Sequence, residues 1–188
     1  MSWKHDYCWP TKGHLLKPRV VMSAIVLAAC VITVMPLNTV RADDEADPVF
    51  GIKIPAGYRD WRLISVAHEA GKLDDLRAIL GNDIAIEAYR AGKQEFPDGT
   101  IIARLAWAYT PSAENDKVFG QPQSFVAGAP KEGVQFMVKD SKKYTATGGW
   151  GFAQFNDGKP TDTALLQTCF PCHEPAKAHD FVFTRYAP

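Results

Sequence analysis

Cys169-Phe170-Pro171-Cys172-His173 places two thiols and an imidazole within five consecutive residues. Two cysteines with that spacing on a helical turn can each add to one vinyl group of a haem, and the histidine that follows is then held beneath the iron. The motif predicts haem c, one per chain, attached through Cys169 and Cys172 with His173 as the iron ligand. A zinc site would need two further ligands, and only His68, His179 and scattered carboxylates remain, at no recognisable spacing. A redox dithiol is the other rival, because Phe170-Pro171 looks like the interior of such a motif. Those motifs normally open a helix after an early strand, whereas this one lies close to the end of the chain. As a disulfide the pair would close a tiny loop and remove little chain entropy.

The rest of the 188 residues must present that motif and supply its pocket. Hydrophobic residues at 46% and charged residues at 22% are ordinary for a packed protein. The formal net charge of zero hides an asymmetry. Residues 1–42 hold five of the 21 basic residues and one of the 21 acids, leaving 16 basic and 20 acidic residues, a net charge of −4. With no basic run beyond Ala42, nucleic acid is excluded as an expected partner.

The N-terminus reads as a secretory signal. A basic stretch ends in Lys17-Pro18-Arg19, an apolar run extends from Val20 to Met35, and Val40-Arg41-Ala42 precedes Asp43-Asp44-Glu45. Cleavage is expected after Ala42, giving a periplasmic protein with residues 1–42 as signal peptide and 43–57 as a leader segment, of which acidic residues 43–50 read as unpacked. The apolar run is short of the roughly 20 residues that span a bilayer, so no stable membrane span is expected after cleavage. Leu27-Ala28-Ala29-Cys30 resembles a lipoprotein box, but the apolar run continues past Cys30. Cleavage removes Cys8 and Cys30, so only Cys169 and Cys172 remain.

Within 58–188 the pattern predicts an α+β domain, mainly antiparallel β-sheet with flanking helices and a C-terminal haem c attachment segment. Tyr58 to His68 alternates as a strand, with Trp61, Leu63 and Ser65 opposite Arg62, Ile64 and Val66. Leu73, Leu76, Ile79 and Leu80 fit a helical stripe, with a short strand over Leu76–Leu80 as the alternative. Asn82 or Asp83 caps a helix that Gly92 stops. Pro97-Asp98-Gly99 is a turn, and Thr100 to Tyr109 follows as a central strand whose only charge is Arg104. Thr110 to Gly120 is a polar break. Strands are expected over Gly133–Lys139 and Trp150–Phe155, and a helix over Asp162–Thr168 delivers the cysteine motif.

His68 and Met137 are the candidates for a sixth iron ligand, although a surface position for the first and core packing for the second are the ordinary roles of these residues. His179 is too near His173 in the chain to reach across a ring plane. Trp107, Phe136, Trp150, Phe152, Phe155 and Phe170 are expected to wall the haem and fill the core.

Five further pieces make the match to a family specific. Tyr58-Arg59-Asp60-Trp61, Phe96-Pro97-Asp98-Gly99-Thr100, Val138-Lys139-Asp140-Ser141-Lys142, Gly149-Trp150-Gly151-Phe152 and Phe181-Val182-Phe183-Thr184-Arg185 occur in that order around the cysteine motif. The chain thereby resembles the bacterial cytochrome P-460 family. The resemblance implies a β-rich haem domain, a homodimer, a proximal histidine and an open distal side. It also implies chemistry on hydroxylamine and nitric oxide, which in the family depends on a lysine cross-linked to the haem edge. That place falls here on Arg104, whose guanidinium stays protonated and cannot supply a free amine nucleophile. The family's pocket carboxylate falls on Gln135, which cannot accept a proton as a base does, and its pocket arginine matches Arg77.

The expectation is an exported haem c protein with five-coordinate iron that binds or converts small nitrogen oxides such as nitric oxide. Arg77, Arg104 and Gln135 are the distal pocket candidates, the pocket being cationic without a carboxylate base, and a periplasmic redox partner is implied. Arg104 has the alternative role of pairing with a haem propionate. Gln135 is either a donor to bound ligand or a satisfied strand residue. The rival readings are a hydroxylamine-oxidising enzyme and a six-coordinate electron carrier.

Overall fold

In the computed structural model, which describes residues 45–187, six antiparallel strands form one sheet in the order of the chain. They are β1 (Arg62–Glu69), β2 (Asp75–Gly81), β3 (Ile101–Pro111), β4 (Phe125–Lys139), β5 (Trp150–Asn156) and β6 (Lys159–Pro160). Helices α1 (Asp83–Arg90), α2 (Ala113–Phe119), α3 (Thr163–Gln167) and α4 (Cys169–His173) complete the α+β architecture. The expected signal peptide, its cleavage point and the box at Cys30 lie outside the described residues. Among the described residues no helix is long and apolar enough to cross a membrane.

Both faces of the sheet are covered, which explains where the alternation was misleading. Ile79 belongs to a core with Ile64, Ile86, Ile102, Trp150, Phe152 and Val182. Its neighbour Leu80 belongs to a core on the other face with Ile52, Leu105, Phe136, Tyr144 and Phe155. The helical stripe over Leu73–Leu80 is therefore wrong, and the short-strand alternative is right in type. A strand buried on both faces carries consecutive apolar residues, as a helix does. Trp150, Phe136 and Phe155 are fully buried, each contributing about 2–3 kcal/mol from area removed from water.

Three boundaries also differ from expectation. Tyr58–Asp60 is a turn of 3-10 helix and β1 starts at Arg62. Its pairing shifts between Leu63 and Ser65, a bulge that buries Ile64 completely and leaves Leu63 52% exposed. Gly81 makes room, since a Cβ there would lie 2.7 Å from Ile64 Cδ1. The polar break contains α2, whose first turn Ser112 caps through the amide of Asn115. The strand expected from Gly133 begins at Phe125 and passes through left-handed Glu132 and Gly133 (φ 57° and 60°), where its register against β3 shifts.

The acidic stretch expected to lie loose packs from Asp47 onward. The buried Asp47 carboxylate accepts the amides of Val49, Phe50 and Ile52, and the Phe50 ring meets Tyr144 and Phe152 edge-on at 5.7 and 5.8 Å.

Candidate functional site

The cysteine motif forms α4, delivered by α3. Asp162 caps α3 through the Leu165 amide at 2.8 Å, and buried Leu166 anchors it to the sheet. Neither thiol is in a disulfide; Cys169 is half-buried and Cys172 exposed. Burial, with smaller contributions from Cys172 and Asp47, pushes the Cys169 thiol above its ordinary pKa.

His173 follows at the end of α4. Its Nδ1 lies 2.8 Å from the carbonyl oxygen of Phe181. A carbonyl only accepts, so Nδ1 carries the proton and Nε2 keeps its lone pair. Burial pulls the imidazole below its ordinary pKa, and the Phe181 carbonyl opposes that only partly. Burial favours the neutral ring and the Phe181 carbonyl fixes its proton on Nδ1, which leaves Nε2 free, the form a metal takes. Phe152 and Phe183 flank the ring at 5.0 and 5.1 Å between centroids.

His173 opens into a cavity of about 480 Å³, which Arg77, Arg104, Gln135 and Met137 also line. The register explains the convergence. Ile79 pairs with Arg104, Arg104 with Gln135, and Gln135 with Gln154, so one row crosses β2 to β5. The apolar part of the wall comes from Ile79, Ile102, Val182 and Phe183.

The polar side of the cavity is not the unmatched cationic patch expected. Asp75, 1% exposed, sits between the guanidiniums. It accepts Arg104 Nη2 at 2.6 Å, and Arg77 Nε and Nη2 at 3.0 Å each. Glu69 lies 3.5 Å from Arg77 Nη1, and Glu132 lies 3.2 Å from Arg104 Nη1. Arg104 Nη1 also donates to Gln135 Oε1 at 3.0 Å, and Gln135 Nε2 donates to Gln154 Oε1 at 2.7 Å. A guanidinium only donates, so Arg104 fixes the orientation of the Gln135 amide. Gln135 thus has its carbonyl and one amide hydrogen committed.

Asp75, Glu132 and Gln154 are the residues that sequence reasoning missed. A signal for Asp75 existed: it stands two residues before Arg77, so reading β2 as a strand puts both on one face. His68 is not brought to the cavity; its ring stacks on Tyr109 at 3.8 Å and its Nε2 is 3.6 Å from Asp74. The expected aromatic set divides. Phe152 and Phe170 lie near the motif, Trp150 is in the same core, and Phe136, Phe155 and Trp107 belong to the other face.

Two free thiols one helical turn apart, an imidazole with Nε2 open, and a partly apolar cavity fit a haem held by Cys169, Cys172 and His173. Among the described residues no group of three His, Cys, Asp or Glu side chains is placed to hold a metal ion, so the further ligands of a zinc site are missing. Among the described residues the wholly antiparallel sheet provides no parallel strand–helix–strand crossover for a redox dithiol. A family model described as Cytochrome P460 matches residues 55–184, which include every residue of the cavity's polar network and the cysteine motif. No curated protein matches the chain.

Proposed function

The chain belongs to the cytochrome P460 family of c-type haem proteins, and from that premise we propose that it is an exported single-haem cytochrome binding or converting small nitrogen oxides such as nitric oxide. Cys169 and Cys172 hold the haem covalently, one per chain, and His173 is the proximal ligand. When bound, the haem would supply an iron able to change redox state and take a small ligand.

The observation that carries this reading is the Nδ1–carbonyl bond of His173. It aims the free Nε2 and fixes the tautomer, as second partners of metal-bound histidines do. Ile79, Ile102 and Val182 supply an apolar wall beside the polar groups of the cavity. Arg77 and Arg104, spread by Asp75, present their uncommitted N–H groups to a polar diatomic ligand or a haem propionate. Arg104 has no free amine and is already engaged by Asp75, Glu132 and Gln135, so the reading favours ligand binding over hydroxylamine oxidation. A periplasmic redox partner and a homodimer belong to the same proposal.

The test is the full chain matured in a bacterium competent for cytochrome c assembly. Denaturing mass spectrometry is expected to show one haem bonded to the two cysteines alone, and nitric oxide to change the optical spectrum of the reduced protein. A colourless product, or a haem spectrum indifferent to nitric oxide in both redox states, overturns the reading. A third covalent bond to the haem would instead support the hydroxylamine enzyme.

One observation favours a second reading. Met137 lines the same cavity as His173, which would suit a six-coordinate electron carrier with a thioether ligand.

A further inference from the structure

The carbonyl that accepts from His173 belongs to a kink unfavourable for its residues. Asp180 and Phe181 both lie in the left-handed region, at φ 51° and 62°, which residues bearing a Cβ keep only where their surroundings impose it. Three contacts impose it here. The buried Asp180 carboxylate receives Lys139 Nζ at 2.7 and 2.9 Å and the Phe96 amide at 2.9 Å. Lys139 Nζ also donates to the Gly148 carbonyl at 3.2 Å and stands 5.0 Å from the centre of the Trp150 ring. The Phe181 ring lies so close over Gly148 that a Cβ there would be 2.2 Å from it. None of these side chains lines the cavity.

A buried lysine–carboxylate pair contributes little net stability over an apolar pair of the same volume. Its effect at this place is geometric. We propose that Lys139 and Asp180 are positioning residues for the proximal imidazole: by holding the kink they fix the Phe181 carbonyl, and so the length and direction of the Nδ1–H···O bond. That bond sets how strongly His173 Nε2 donates. The inference rests on His173 being the iron ligand.

The test uses the haem-loaded full chain with Asp180→Asn, which keeps an acceptor for the Phe96 amide. It also uses the double variant Lys139→Met/Asp180→Asn, which leaves no buried charge unpaired. Asp98→Ala serves as control, because it cuts a clasp on the same hairpin, from Asp98 to the Ser141 amide and hydroxyl, without touching the kink. The readouts are haem mass, reduction potential and the iron–histidine stretching frequency of the reduced protein. Asp180→Asn and the double variant are expected to keep their haem while the potential rises and the stretching frequency falls. Asp98→Ala is expected to lose thermal stability with neither readout moved. Unchanged values in Asp180→Asn or in the double variant overturn the proposal, as do equal shifts in Asp98→Ala. Wild-type protein without haem would instead defeat the assignment of His173.

Discussion

Asp75 and Arg104 meet at 2.6 Å across two neighbouring strands, and Arg104 lines the cavity that His173 faces. Asp75 is buried and Arg77 approaches the same carboxylate from its own strand. Together with Glu69 on Arg77 and Glu132 on Arg104, the shared carboxylate offsets the repulsion between the two guanidiniums.

Asp75→Asn removes the charge shared by both arginines while keeping the side chain's shape. Breaking a buried ion pair from one side costs about 3 kcal/mol or more, so a fall in melting temperature of roughly 10 °C is expected. Glu132→Gln also loses a partner of Arg104, but the Glu132 side chain is 43% exposed and solvent screens it. That variant is expected to lose less than about 1 kcal/mol. Thermal melts of the two variants side by side check the contrast, and equal losses would contradict it.

Gly148→Ala drives a methyl group into the Phe181 ring at a position with φ 67°. Overpacking of this kind costs about 2 kcal/mol, and the displaced ring belongs to the residue whose carbonyl orients His173. Both a lowered melting temperature and an altered haem spectrum are expected. Gly120→Ala meets no atom within 4 Å at a similar φ of 74°. It is expected to cost only about 1 kcal/mol from the backbone and to leave the spectrum unchanged.

Acid should find the Asp98 clasp. The Ser141 amide, then its hydroxyl, and the charges of Lys139 and Lys142 hold the Asp98 carboxyl below its ordinary 3.8. A depressed folded pKa means stability fully present above the unfolded value and lost as pH falls through the folded one. The melting-temperature gap between wild type and Asp98→Ala is therefore expected to be constant from neutral pH down to about 5 and to shrink below the ordinary carboxylate pKa. A gap that persists unchanged in stronger acid would mean the clasp is not ionic.

Met137→Ala separates ligand binding from electron carriage. With an open axial position the spectrum of the oxidised protein is expected to stay high-spin, while stability drops by about 2 kcal/mol from lost packing. A change from low-spin to high-spin on substitution would assign Met137 to the iron. His68→Ala is expected to leave the spectrum alone, because the ring is occupied by Tyr109 on the surface.

Much of the framework was legible from local pattern. The α1 cap at Asn82, which accepts the Ala85 amide at 3.0 Å, and the strands around Ile101–Tyr109 and Trp150–Phe155 follow from turn chemistry and apolar runs. β2 was ambiguous because Ile79 and Leu80 serve different cores, which erases the period of two. α2 was hidden because its residues bury nothing. The five family pieces looked unrelated along the chain, yet most converge on one place. Phe96, Lys139, Trp150 and the Asp180–Phe181 kink form a single cluster behind His173, and Asp98 clasps Ser141 beside it.

The sequence by itself determined the chemistry at the motif. Two thiols and an imidazole separated by a few peptide bonds can hardly avoid one another, whatever the rest of the chain does. Only the tertiary structure decided what surrounds them. Asp75 meets Arg104 because of the register between β2 and β3. Lys139 meets Asp180, 41 residues away, and that contact helps hold two left-handed residues that only a completed core can enforce.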